Sequence, residues 1–236
     1  MMYRALHVPC YLFTAALLGL TSSQATAGFT FIESIQGEFS TESSAPTQFG
    51  NATPGSNVVM GAVGNLDADI FSFVIPTGFR LDSIFLTSYS TSAPSARMFA
   101  ALGAGPTFQY SFDEINSLEN PPDLSLTMGA GLIGARFPRS GGGFFGAGVG
   151  DDILTFFGGP DRLGGTGFST PLPAGTYTMF IQETGPTSSY GLSINVAAVP
   201  EPSSTALMSL LVLGGGFYRR RALGLREITQ ADSTSL

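Results

Sequence analysis

The chain has no Lys and no Trp, and only 11% of its 236 residues are charged. Its basic side chains are ten Arg. Its single His is His7 and its single Cys is Cys10, both near the start. Each absence excludes a class of chemistry. Once the first residues are removed, the remaining chain has neither imidazole nor thiol. Catalysis by His or Cys, Cys/His metal sites, haem ligation by His and disulfides are then excluded. No His stands downstream to complete a Gly-x-Ser-x-Gly triad. The Gly runs lack the Lys-Ser/Thr of a phosphate loop. Seventeen acids against ten Arg give a net charge of −7. That balance argues against nucleic acid, whose phosphates need a basic stripe.

What is present begins with two organised ends. Arg4 is followed by the apolar run Tyr11–Leu20, then by polar residues and Ala25-Thr26-Ala27. This order of charge, short apolar run and small-x-small site predicts a secretory signal over residues 1–27, cut after Ala27. The apolar run falls short of the roughly 20 residues that a membrane span needs. At the other end, Val199-Pro200-Glu201-Pro202 breaks any preceding strand, because Pro fixes φ and lacks a donor. The uncharged stretch Ser203–Tyr218 follows, and Arg219-Arg220-Arg221 stops it. As a helix this stretch reaches about 24 Å, which seats in a bilayer with Arg snorkelling and local thinning. The Arg cluster sets the C-terminal side in the cytoplasm, and hence the body outside.

Pro200-Glu201-Pro202, a short apolar helix and an Arg cluster, in that order, resemble the PEP-CTERM sorting signal of Gram-negative bacteria. The resemblance covers about the last 25 residues before the Arg cluster ends, with residues 200–221 as the signal. It implies recognition and processing by an exosortase, an integral-membrane Cys protease. It also implies passage through the inner membrane and delivery of the body to the cell surface or an exopolysaccharide matrix. One departure stands out. The family ends close to its Arg cluster, whereas here a predicted cytoplasmic tail, Ala222–Leu236, follows.

Residues 28–199 form the exported body, long enough for one domain with a real core. Fourteen acids and five Arg bring it near −9. Period-2 alternation dominates it. Tyr190, Leu192, Ile194 and Val196 share one face of a strand, and Tyr177, Met179 and Ile181 share one face of another. The turn-rich Thr184–Ser188 between them predicts a hairpin. Phe71, Phe73 and Ile75 line a strand that ends at Pro76-Thr77-Gly78, and Leu81–Tyr89 reads as the next. Phe29–Ile35 and Arg97–Leu102 are shorter candidates, and Asp113–Leu118 fits a single helical turn. The expected fold is all-β: a single jelly-roll-like antiparallel β-sandwich, flanked by the signal helix and the C-terminal membrane helix.

Asp67-Ala68-Asp69-Ile70-Phe71-Ser72-Phe73, with Leu172–Tyr177 and Tyr190-Gly191-Leu192, is similar to the early strand and closing hairpin of the bacterial pre-peptidase C-terminal domain. That resemblance implies a non-catalytic surface module and transfers no catalytic residue. Residues 129–167 stand apart. They are dense in Gly and carry Phe144-Phe145 and Phe156-Phe157. Gly weakens a packed strand, so a long surface loop is expected, around a short strand at Ile153–Phe157, with the paired Phe packed back on the body.

Two constellations invite a hard cation. Gly148-Val149-Gly150-Asp151-Asp152-Ile153-Leu154 fits one calcium-binding nonapeptide, and Gly159-Pro160-Asp161-Arg162-Leu163 repeats its end. This makes Asp152 and Asp161 calcium candidates, against the plainer reading of solvated acids in a Gly-rich loop. Asp67 and Asp69, alternate at a strand entry, are the other pair, against a role as turn formers, which is the expectation. The leading expectation is a non-enzymatic surface or matrix protein without a cofactor. The alternative is a carbohydrate- or calcium-binding module. A carboxylate-only glycosidase is a third reading, although no two acids stand out as its pair.

Overall fold

The computed structural model describes residues 28–200, except 65, 94–95, 118–123 and 139–143. The predicted signal, with Ala25 and Ala27, and most of the sorting signal, with Glu201, Pro202 and Arg219–Arg221, lie outside the described residues. In chain order the elements are β1 (Thr30–Ile32), α1 (Glu33–Gln36), β2 (Thr47–Asn51), β3 (Gly55–Val63), β4 (Asp67–Ile75), β5 (Phe79–Thr91) and β6 (Met98–Ala104). They continue with α2 (Phe112–Ser117), β7 (Gly129–Gly134), β8 (Phe137–Pro138), β9 (Phe144–Phe145), β10 (Ala147–Gly148), α3 (Ile153–Gly158), β11 (Gly175–Glu183) and β12 (Ser188–Ala198).

The body is mostly β, with two sheets in a sandwich-like arrangement. One sheet has the order β1-β3-β12-β5 and the other β10-β7-β6-β11-β4-β2; β8 and β9 pair separately. The long central pairings are antiparallel, while the edge pairings β1–β3, β10–β7 and β2–β4 are parallel. In the centre of one sheet Met179 lies opposite both Phe71 and Leu102. In the other, Leu192 lies opposite Val59 and Leu86. The main core forms between them, from the alternating faces that the sequence displays: Phe71, Phe73 and Ile75 against Leu192, Ile194 and Val196, among others.

The expected hairpin does not form. β11 pairs with β4 and β6, whereas β12 pairs with β3 and β5. The segment between them carries the chain from one sheet to the other. The Pro76–Gly78 turn does the same between β4 and β5, helped by Gly78 at φ +86°. Two strands that face each other across a core show the same alternation as two that pair.

The six-stranded sheet is also covered on its outer side. Ile70, Ala101, Ala130 and Phe180 meet Phe108, Ile115 and Leu124 from the connection that contains α2. This second layer explains why β4 and β11 are buried on both faces. The predicted helical turn is α2, one residue earlier than expected at each end.

The Gly-dense segment is not a long surface loop. It opens with β7, paired to β6 in the sheet, and it supplies Ile133, Ala147, Ile153, Leu154 and Phe157 to the core. The strand expected at Ile153–Phe157 is the helix α3. Asp152 starts that helix by accepting from Leu154 N at 3.1 Å. The glycines make room for it. A Cβ at Gly129 would collide with the Phe157 carbonyl oxygen, and one at Gly131 with the Phe156 ring. Phe156 and Phe157 do pack on the body, Phe157 fully buried and Phe156 against the core.

Candidate functional site

A cluster of acids sits where the first described segment meets both sheets. α1 begins with Glu33 and ends at Gly37, whose φ of +104° is open to Gly at little cost. The Gly37 N–H donates to Glu33 O at 2.9 Å, and the reversal returns Glu38 to the side of Glu33. The next residue, Phe39, holds the loop in the core. Its ring centroid lies 4.6 Å from that of Phe31 and 5.5 Å from that of Phe71.

Asp69 comes from β4. It shares the inward face with Phe71, Phe73 and Ile75 and therefore points between the sheets. There the Tyr190 hydroxyl, from β12 in the other sheet, donates to Asp69 Oδ2 at 2.7 Å. Gly61 of β3 forms a further wall. A Cβ at Gly61 would lie 2.6 Å from Asp69 Oδ2 and 2.7 Å from the Tyr190 hydroxyl oxygen.

Carboxylate oxygens of Glu33, Glu38 and Asp69 all lie within 4.8 Å of one another. Asp69 is fully buried, Glu33 half-buried and Glu38 exposed, so the cluster runs from the interior to the surface. Donors are scarce. The Ala62 N–H donates to Glu33 Oε2 at 2.7 Å. Glu33 Oε1 and Asp69 Oδ1 are buried and meet no donor.

The electrostatics follow from that scarcity. Burial pushes the Asp69 carboxyl up to about 9. The Tyr190 hydrogen bond opposes the rise, and the charges of Glu33, Asp67 and Glu38 add to it. Glu33 is pushed up to about 7, first by burial and then by its contact with the Glu38 carboxyl. Asp67 is raised by burial and by the Glu38 charge, and Tyr190 is raised by burial and by Asp69. An arrangement of this kind does one of two things: it retains protons, or it gives them up to a cation.

The expectation that Asp67 and Asp69 serve as turn formers is overturned for Asp69, which lies inside β4 and is buried. Asp67 opens the same strand. The structure places Asp152 and Asp161 on one open depression of about 510 Å³, lined also by Arg136, Asp151, Thr155 and Phe156. Asp152 is well supplied with donors there. Its Oδ1 accepts from Ile84 N at 3.0 Å and from Leu154 N at 3.1 Å, and its Oδ2 accepts from the Thr155 hydroxyl at 2.7 Å. This is the bonding of a helix cap that also clasps β5. Asp151 forms an ion pair with Arg136 and accepts from Gly148 N at 2.8 Å.

Sequence reasoning missed Glu33, Glu38 and Tyr190. The one local signal was Gly37 directly before Glu38, which marks a reversal between two acids five residues apart. Nothing local points to Tyr190, which is 121 residues from Asp69. At the C-terminal end of the body, β12 stops at Ala198, and Val199 and Pro200 are exposed. No helix among the described residues is long and apolar enough to cross a membrane. No family model, curated protein or solved structure matches this chain significantly.

Proposed function

We propose that this chain is an exported, exosortase-sorted, non-enzymatic cell-surface or exopolysaccharide-matrix protein of a Gram-negative bacterium. One observation carries the reading: Pro200-Glu201-Pro202, an uncharged apolar stretch and Arg219-Arg220-Arg221 follow one another at the end of a chain that begins with a secretory-type segment. The fold is compatible with it. The last core strand ends two residues before Pro200, so the recognition element leaves the sandwich at once. The partners are then the general secretion machinery, signal peptidase, the inner membrane through a C-terminal helix, exosortase and exopolysaccharide. We read the sandwich as jelly-roll-like, with a signal helix before it and a membrane helix after it. The crossings between sheets after β4 and after β11 support that topology.

Deletion of Pro200–Leu236 in the producing cell tests the sorting step. The body is expected to appear free in the medium, by immunoblot of cell and supernatant fractions. Retention of the truncated chain at the cell surface overturns the tail-based mechanism. A second reading, a calcium-binding module on a β-sandwich, has the Glu33–Glu38–Asp69 cluster in its favour.

A further inference from the structure

We infer that Glu33, Glu38 and Asp69 form a calcium site that fastens the start of the body to both sheets of the sandwich. The inference deepens the calcium-binding reading and does not depend on the sorting tail.

The first ground is geometric. Three carboxylates supply oxygens within 4.8 Å of one another, close enough to surround a single ion. They arrive from separate places: the start of α1, the reversal after Gly37, and the inner face of β4. The second ground is independent of the clustering. Asp69 is fully buried, and its Oδ1 meets no donor; Glu33 Oε1 is likewise buried and unmatched. A buried acceptor without a donor costs stability and is rare in folded proteins. A cation at this point satisfies both atoms at once. Gly61 walls the same point: its bare backbone lets Asp69 Oδ2, the Tyr190 hydroxyl and the Phe39 ring come close, and any side chain there would displace Asp69.

The donor set selects the ion. All three side chains are hard oxygen donors, and the body contains no His or Cys to favour zinc or copper. Calcium accepts irregular, flexible oxygen shells and retains water on an exposed side, and the exposed Glu38 provides that side. Magnesium demands a more regular octahedron. Binding displaces whatever protons the three carboxyls hold, so uptake of calcium releases protons.

The bound ion adds a tie between elements already joined by packing and a few hydrogen bonds, among them Ile70 N–H to the Ser40 carbonyl and Ala62 N–H to Glu33. Glu33 and Glu38 belong to the segment held by Phe31 and Phe39, Asp69 belongs to the six-stranded sheet, and Tyr190 connects Asp69 to the four-stranded one. The ion thus fixes the residues nearest the predicted signal-peptidase cut. A protein that leaves a cell low in free calcium meets this ion on the outside, so the site would close after export.

The test uses the full chain in detergent solution, freed of metal by chelation, with terbium and calcium as probes. Tyr190 lies against the site, and the chain has no Trp, so bound terbium is expected to show tyrosine-sensitised luminescence. Calcium is expected to compete it away and to raise the melting temperature. Glu38→Gln alters an exposed side chain and should leave the fold intact. Glu38→Gln and Asp69→Asn are each expected to weaken binding at least about tenfold, the lower end of what metal sites lose even through outer-shell partners. Asp161→Asn, in the other acidic region, is expected to leave binding unchanged. The inference is overturned if the folded chain shows neither sensitised terbium emission nor a calcium-dependent melting shift at millimolar calcium. It is also overturned if Asp161→Asn abolishes binding while Glu38→Gln spares it. Failure of the tail-deletion experiment bears on sorting alone and leaves this outcome separate.

Discussion

The two groups of acids in the sandwich are held in opposite ways. Asp151 and Asp152, in the Gly-rich region, are surrounded by donors: Arg136, the N–H groups of Gly148, Ile84 and Leu154, and the Thr155 hydroxyl. Asp69, Glu33 and Glu38, beside the Phe-rich start of the body, face chiefly one another, with the Tyr190 hydroxyl and the backbone of Ala62 and Phe39 placed to help. The first pair has the bonding of structural acids. The second group has the bonding of a site that lacks its positive charge. A motif that resembled a calcium repeat thus folds into a helix cap, and an inconspicuous pair of Glu joins a buried Asp. The lesson concerns donors: what a carboxylate does depends on which N–H and O–H groups the fold aims at it.

The strongest way to break the comparison is to disturb the packing that creates the satisfied pair. Gly129→Ala drives a methyl into the backbone carbonyl of Phe157, which cannot rotate away. The expected cost is about 3 kcal/mol, read from the midpoint of denaturant unfolding, with α3 dislodged from β7. An unchanged midpoint would mean that the helix does not need its glycine seat.

Asp152→Ala removes a cap and leaves Ile84 N without its partner. About 2 kcal/mol of stability should be lost, with or without calcium, by the same measurement. A calcium-dependent loss would instead make Asp152 a ligand and erase the contrast between the two regions.

The smallest expected effect is a slope. Asp69 and Glu33 are held above their ordinary values, so in this region the folded state binds more protons than the unfolded one. Stability from this source is complete below about pH 4 and falls as pH rises, through about 7 for Glu33 and about 9 for Asp69. Asp67, raised by burial and by the Glu38 charge, adds to the fall. In chelator, the melting temperature should therefore decline between pH 5 and pH 9, a window bounded by these values. Asp69→Asn should flatten the decline and stabilise the metal-free chain by about 1 kcal/mol at the upper end. A melting temperature that rises over this window would show that the cluster is well supplied with donors.

Much of the fold was legible because strand alternation is local. The faces of β4, β5, β11 and β12 could be read from residues two apart. Which strand pairs with which could not, as the missing hairpin between β11 and β12 demonstrates. Alternation states that a face is buried, chiefly by the opposite sheet, and it does not say which strand lies alongside. Glycine misled for a related reason. Gly129 and Gly131 look like loop residues until Phe156 and Phe157 are placed above them. Of the acid cluster, only Asp69 was visible, and it was expected in a turn. Its burial comes from Tyr190 and Gly61, both on strands of the opposite sheet.

The absence of Lys, the confinement of His and Cys to the first ten residues, and the order of charge, apolar run and small or Pro residues at both ends are properties of the sequence alone. They act through length, charge and hydropathy along one dimension, and no fold is needed to express them. The state of each acid was decided by tertiary structure only. Desolvation and hydrogen bonding depend on atoms that approach from distant parts of the chain, as residues 33, 38, 69 and 190 do here.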